Sequence, residues 1–160
     1  MATLPVRRQA GAGAVFAVAV ILAATIGSLA SVRTAQDYAQ LNQPSWAPPS
    51  WLFGPVWTVL YAMIAVAGWL VWRRSGVSGA RWALTAYGTQ LVLNAAWTPI
   101  FFGARQFGLA FAEILLLWSA IAVTVWLFAR IHRGAAALLL PYWVWTTFAA
   151  ALNFAVWQLN

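Results

Sequence analysis

Gln90, Asn94 and Trp97 recur at i, i+4 and i+7 within a stretch that is otherwise almost wholly apolar, which puts them on one face of a helix. Trp145, Ala149 and Leu152 repeat that spacing near the C-terminal end, with Asn153 beside them, and Trp57 and Tyr61 share a face earlier in the chain. Amides and indoles on apolar helices must find partners inside a bundle when the surroundings are lipid. A small residue such as Ala149 beside large rings leaves room for a flat molecule. Ligand sites are mostly apolar and aromatic, with a few polar groups fixing orientation. The chemistry on offer is therefore recognition of a flat apolar ligand, with core packing as the plainer alternative for Trp57, Trp97 and Trp145.

Ordinary acid–base catalysis has little to work with. The chain has two carboxylates, Asp37 and Glu113, and one histidine, His132. There is no carboxylate pair, no Ser/His/Asp set and no cluster of metal ligands, and no cysteine is present for disulfides or thiolate sites. His132 lies between Arg130 and Arg133 and reads as a solvated loop residue. Two readings are open for Glu113: an intramembrane acid that couples protons to transport, or a residue near the interface that hydrogen-bonds to a neighbouring helix.

The elements that must position these residues are membrane helices. Of 160 residues, 64% are hydrophobic and 7% charged, too little charge for a soluble domain's surface. Five spans are expected: Gly11–Ala30, Trp51–Trp72, Trp82–Phe102, Gly108–Ala129 and Ala135–Trp157. Nothing alternates with the period of a β-barrel. The fold class is an all-α integral membrane protein, a bundle of five transmembrane helices in one domain over residues 1–160. The first span has a rival reading as a signal peptide cleaved after Ser28-Leu29-Ala30. Its run is long for that, and Ala19, Ala23 and Gly27 form a small-residue stripe suited to close packing, within the bundle or between two protomers.

Between the first two spans runs Tyr38-Ala-Gln-Leu-Asn-Gln-Pro-Ser-Trp46-Ala-Pro48-Pro49-Ser-Trp51-Leu-Phe-Gly-Pro55-Val-Trp57. Disordered segments are poor in aromatics, and this one is rich in them. Long irregular connections in compact domains are usually functional. The 31–50 loop is therefore expected to be an ordered cap over a cavity. Four other tryptophans, Trp51, Trp72, Trp82 and Trp157, fall at expected span ends and suit interfacial anchoring. The nine basic residues are all Arg. Arg7, Arg8, Arg73, Arg74, Arg81, Arg130 and Arg133 fall on one side of a five-span topology, and Arg33 and Arg105 on the other. The positive-inside rule then places the N-terminus in the cytoplasm, and the cap and C-terminus on the outer face of a bacterial-type membrane. Scattered at helix ends, these charges do not form a nucleic-acid surface.

The chain resembles the TspO/MBR family of tryptophan-rich membrane proteins. The resemblance rests on Tyr38-x-x-Leu41-x-x-Pro44-x-Trp46-x-Pro48-Pro49, continuing to Phe53 and Trp57-x-x-Leu60-Tyr61. It continues through Gln90-Leu-x-Leu-Asn94-x-x-Trp97-Thr-Pro99-x-Phe-Phe-Gly103, then Arg105-Gln106-x-Gly108 with an acid at Glu113. Pro141-Tyr142-x-x-Trp145-x-x-Phe148-Ala149-x-x-Leu152-Asn153 completes it. The resemblance implies five helices, commonly a homodimer, with a cavity under the first loop. The implied ligands are porphyrins such as protoporphyrin IX and haem, and synthetic isoquinoline-carboxamide and benzodiazepine compounds; no cofactor or metal is required. By matched position the pocket would use Tyr38, Trp46, Trp57, Asn94, Trp97, Ala112, Trp145, Ala149 and Leu152. Some members are reported to degrade porphyrin in light, a role that would fall to Trp57 and Trp145. Asp37 stands where the family usually has Trp, and Gln43 where it has a base, which weakens attraction for porphyrin carboxylates. The segment Leu152-Asn-Phe154-Ala-Val-Trp-Gln158 lacks the Tyr and base of the animal sterol motif, so cholesterol recognition is unsupported.

Overall fold

The computed structural model describes residues 6–29 and 34–160, and the side chains of residues 10–26 and 36–160. Six α-helices follow one another: α1 (Val6–Leu29), α2 (Thr34–Ala39), α3 (Phe53–Gly79), α4 (Arg81–Thr98), α5 (Phe107–Ile131) and α6 (Arg133–Leu159). A 3-10 turn, Ser50–Leu52, leads into α3, and a π turn, Pro99–Gly103, closes α4. No strand occurs among the described residues. Three helical stretches, Ser50–Gly79, Phe107–Ile131 and Arg133–Leu159, are long and apolar enough to cross a membrane, and Ala10–Ile26 is a shorter apolar helix. The outward faces of these helices and of α4 are hydrocarbon: Val18, Leu22, Val59, Val92, Leu116 and Val144 are all exposed. An apolar surface of that extent needs lipid around it.

Two helices, α3 and α4, depart from their expected ends for a local reason. Arg73 and Arg74 do not stop α3, because exposed arginines leave the backbone ladder intact, and the helix runs on to Gly79. The break comes at Gly76, whose φ of 63° is a left-handed conformation that glycine adopts without a Cβ clash. Pro99 has no N–H to extend the α4 ladder. The chain widens there into i→i+5 bonding, with the Ala104 N–H donating to the Pro99 carbonyl at 2.9 Å. The connection expected to be irregular over 31–50 contains the short helix α2. The proposed cleavage point reaches Ala30, outside the described residues, as are the side chains of Gly27, Ser28, Arg7, Arg8 and Arg33. Ala23 is buried and Ala19 packs against the core, so the described part of the small-residue stripe is used within the bundle.

Contacts between the long helices run round a ring in the order α1, α3, α6, α5, α4 and back to α1. At one closure Gly68 of α3 lets two rings in: Phe16 of α1 meets Tyr87 of α4 edge-on at 5.8 Å, over the glycine. A Cβ on Gly68 would lie 2.7 Å from Phe16 and 2.8 Å from Tyr87. Tyr87 has no slack, since its hydroxyl donates to the Ile64 carbonyl at 3.1 Å and its ring stacks on Phe128 at 5.9 Å. Gly68→Val is expected to destabilise the bundle by about 2 kcal/mol, the scale of overpacking a filled core. A lowered melting temperature in mild detergent would show it, and an unchanged one would mean that α1 moves away freely.

Candidate functional site

A cavity of about 460 Å³ lies among all six helices, with Ala24 as the contribution of α1. Its walls are aromatic: Trp57 and Tyr61 from α3, Trp97 from α4, Phe101 and Phe102 from the π turn, and Trp145 from α6. The rings brace one another. Trp97 stacks on Phe101 at 4.8 Å, Trp57 leans on Tyr61 at 5.2 Å, and Trp145 meets Phe53 and Phe148 at 5.9 and 5.4 Å. Ala149 and Leu152 complete the α6 wall, and Ala149 supplies the gap that a larger side chain would fill.

Polar groups hold these walls in register. The Tyr61 hydroxyl donates to Asn94 Oδ1 at 2.8 Å, and Asn94 Nδ2 donates to the Tyr142 hydroxyl at 3.0 Å. That hydroxyl in turn donates to Gln90 Oε1 at 2.9 Å. One chain of bonds thus ties α3, α4 and α6 behind the cavity. Asn153 makes a second tie, accepting from Trp97 Nε1 at 3.1 Å and donating to the Phe107 carbonyl at the start of α5 at 2.9 Å. Three buried donors, Gln90 Nε2, Trp143 Nε1 and Trp145 Nε1, have no hydrogen-bond partner among the described residues, and of these Trp145 alone is a wall residue.

The segment from α2 to the 3-10 turn closes one end. Tyr38 is buried, its ring edge-on to Phe53 at 5.3 Å, and its hydroxyl donates to the Pro48 carbonyl at 3.2 Å. Gln43 Nε2 donates to the Tyr38 carbonyl. Burial holds the Tyr38 phenol above its ordinary pKa, so it remains a neutral donor. Three hydrogen bonds join Asn42 to the last turn of α6: its N–H to Asn160 Oδ1 at 3.0 Å, its Nδ2 to the Leu159 carbonyl at 3.2 Å, and Asn160 Nδ2 back to the Asn42 carbonyl at 3.0 Å. Asp37 pairs with Arg105 at 3.6 Å, across to the connection before α5.

Of the nine residues matched by position, seven wall this cavity: Tyr38, Trp57, Asn94, Trp97, Trp145, Ala149 and Leu152. Trp46 does not; it is half exposed and edge-on to Phe148 at 5.9 Å, one ring removed from the wall. Ala112 is a correction. The inner face of α5 carries Ala110, Glu113, Ile114 and Leu117, and the helical period turns Ala112 outward, where it is exposed. Of the two readings open for Glu113, the bond to a neighbouring helix is not seen among the described residues. Glu113 is 7% exposed, and neither carboxyl oxygen has a hydrogen-bond partner among the described residues. His132 is not merely solvated: its Nδ1 accepts from the Ala135 N–H at 3.1 Å and caps α6. Sequence reasoning missed Arg105, Asn42 and Asn160 as partners of the closing segment. The Asn pair is 118 residues apart and carries no periodic signal.

Comparisons with known proteins place the chain in a family. The family model described as "TspO/MBR family" matches residues 14–158. The human translocator protein is 45% identical over 125 residues, 77% of this chain and 74% of its own length. The tryptophan-rich sensory protein of Cereibacter sphaeroides is 37% identical over 137 residues, 86% of this chain and 84% of that one. The tryptophan-rich protein TspO of Archaeoglobus fulgidus is 40% identical over 148 residues, 89% of this chain and 95% of that one. With helices of membrane-crossing length and a family match over most of its length, the chain belongs to the TspO/MBR family of membrane proteins.

Proposed function

We propose that this protein is a membrane receptor or carrier for flat apolar ligands of the porphyrin class, bound in the cavity beneath the 34–52 segment. The observation that carries the reading is an aromatic cavity of about 460 Å³ with one indole donor in its wall, Trp145 Nε1, that has no hydrogen-bond partner among the described residues. Small-molecule sites run to roughly 300–1,000 Å³ and pair apolar walls with a few polar groups. A porphyrin offers broad faces to the rings and carboxylates to the donor. In this reading α1, α3, α4, α5 and α6 all cross the bilayer, and the arginine-rich end lies in the cytoplasm. The names of the relatives, translocator and sensory protein, fit a binding role of this kind.

Titration of the purified protein with protoporphyrin IX in the dark is expected to quench tryptophan fluorescence saturably at micromolar ligand. Quenching that rises linearly without saturation would remove the reading. Trp57 and Trp145 both wall the cavity, which favours a second reading, light-driven oxidation of the bound porphyrin by oxygen. Repeating the titration under illumination separates the two. Bleaching no faster than in detergent alone leaves only binding.

A further inference from the structure

The end of the bundle away from the closing segment carries five exposed arginines among the described residues. Arg73 and Arg74 lie near the end of α3, Arg81 opens α4, Arg130 is in the last turn of α5 and Arg133 opens α6. They share one end because Tyr87 of α4 stacks on Phe128 of α5 at 5.9 Å, bringing the start of one helix beside the finish of the other. The short links through Ala80 and His132 bring the end of α3 and the start of α6 to the same place. No acid offsets them. Of the chain's two carboxylates, Asp37 is paired with Arg105 and Glu113 is buried on the inner face of α5.

Three of these arginines lie over tryptophan rings. The guanidinium carbon of Arg73 is 4.7 Å from the Trp69 centroid, that of Arg81 is 5.1 Å from Trp82, and that of Arg130 is 3.8 Å from Trp126. Trp69-x-x-x-Arg73 and Trp126-x-x-x-Arg130 use the same spacing on α3 and α5, the two helices whose C-terminal ends lie here. Trp82 and Trp126 are 66% and 54% exposed on outward faces that continue the lipid-facing surface. Indoles settle at headgroup depth. A guanidinium stacked on a ring by its face keeps its N–H edge available for a planar, two-point contact with phosphate oxygens.

We propose that this end of the bundle binds anionic phospholipids, with Trp69–Arg73, Arg81–Trp82 and Trp126–Arg130 each forming a seat for one lipid phosphate. In each seat the ring meets the upper part of the lipid's apolar body and the guanidinium edge takes the phosphate. A lipid is favoured over a soluble polyanion because two of the three cations are held against rings exposed on the hydrocarbon-facing surface, Trp82 and Trp126, where only a molecule with its own apolar part matches both; the third ring, Trp69, is half-buried. The inference is independent of the cavity and its ligand.

The test is lipid retention. The protein is reconstituted into vesicles of equal parts phosphatidylcholine and phosphatidylglycerol and extracted in mild detergent, and the retained lipids are counted by native mass spectrometry. Phosphatidylglycerol is expected in clear excess. A variant carrying Arg73→Gln, Arg81→Gln and Arg130→Gln is expected to lose about fivefold of that preference at each seat, the contribution of one basic side chain near an anionic surface. Arg105→Gln, at the other end, is expected to keep the full preference. Equal retention of the two lipids, or a ratio indifferent to the triple substitution, would overturn the proposal. So would displacement of phosphatidylglycerol by inorganic phosphate or by an acidic protein or nucleic acid, because the seat would then not require a lipid. Should the triple Gln variant fail to fold, Arg→Lys at the three positions keeps the charge and loses the planar stack. Full preference in that variant would also overturn the ring–guanidinium seat, and a partial loss would support it.

Discussion

Trp145→Phe is expected to weaken protoporphyrin IX binding by about tenfold, the effect of losing one hydrogen bond of roughly 1.4 kcal/mol. Phe keeps an aromatic ring between Phe53 and Phe148, so the wall keeps its packing partners. What disappears is Nε1–H, a buried donor with no acceptor among the described residues. A donor that is idle in the free protein but engaged in the complex has an asymmetric signature. Removing it lowers affinity and leaves stability unchanged or slightly raised, because a buried orphan is costly until a ligand meets it. Fluorescence titration and thermal melting of the same two samples check both halves. Equal affinity for both proteins would show that the indole N–H does not face the ligand.

Asn94→Leu is expected to act the other way, on the framework first. It strips the Tyr61 hydroxyl of its acceptor and the Tyr142 hydroxyl of a donor. Hydrogen bonds inside membrane proteins contribute about 0.6 kcal/mol on average and up to about 1.7. Losing two, and leaving the part-buried Tyr61 hydroxyl without its acceptor while Tyr142 keeps its bond to Gln90, is expected to cost about 2 kcal/mol in a melting experiment. Tyr142→Phe alone breaks one bond shared with Asn94 and one with Gln90. The double substitution should therefore cost less than the sum of the two, since both remove the Asn94–Tyr142 bond. Strict additivity would mean that the two residues are not coupled through it.

Much of this architecture was legible beforehand, for a physical reason. Lipid forces backbone bonds inside helices, so long apolar runs could be read as helices and their lengths checked against the bilayer. Residues that must share a face did so: Asn94 with Trp97, and Trp145 with Ala149 and Leu152, all reach the cavity. The misreadings have three different sources: a backbone conformation, a neglected helical step and long-range contacts. The end of α3 depended on the conformation of Gly76, not on Arg73 and Arg74. Ala112 and Glu113 are adjacent, and a 100° step along the helix puts one outside and the other in. The bonds of the closing segment, Asp37 to Arg105 and Asn42 to Asn160, join distant parts of the chain that no local pattern connects. Asp37, a departure from the family pattern when read alone, has a local partner in the fold.

The Asn42–Asn160 clasp sets a timescale. Its three bonds lie at the outer edge of the closing segment, and neither residue belongs to the cavity wall. A substitution there leaves the surfaces that grip a bound molecule as they were and lowers the barrier to opening. Entry and departure then accelerate together, and the equilibrium between them stays nearly where it was. Residence time can therefore drift between related chains through two surface asparagines while the pocket itself stays the same. A receptor that must hold its ligand and a carrier that must hand it on could thus share one set of walls and differ only at the hinge of the cover.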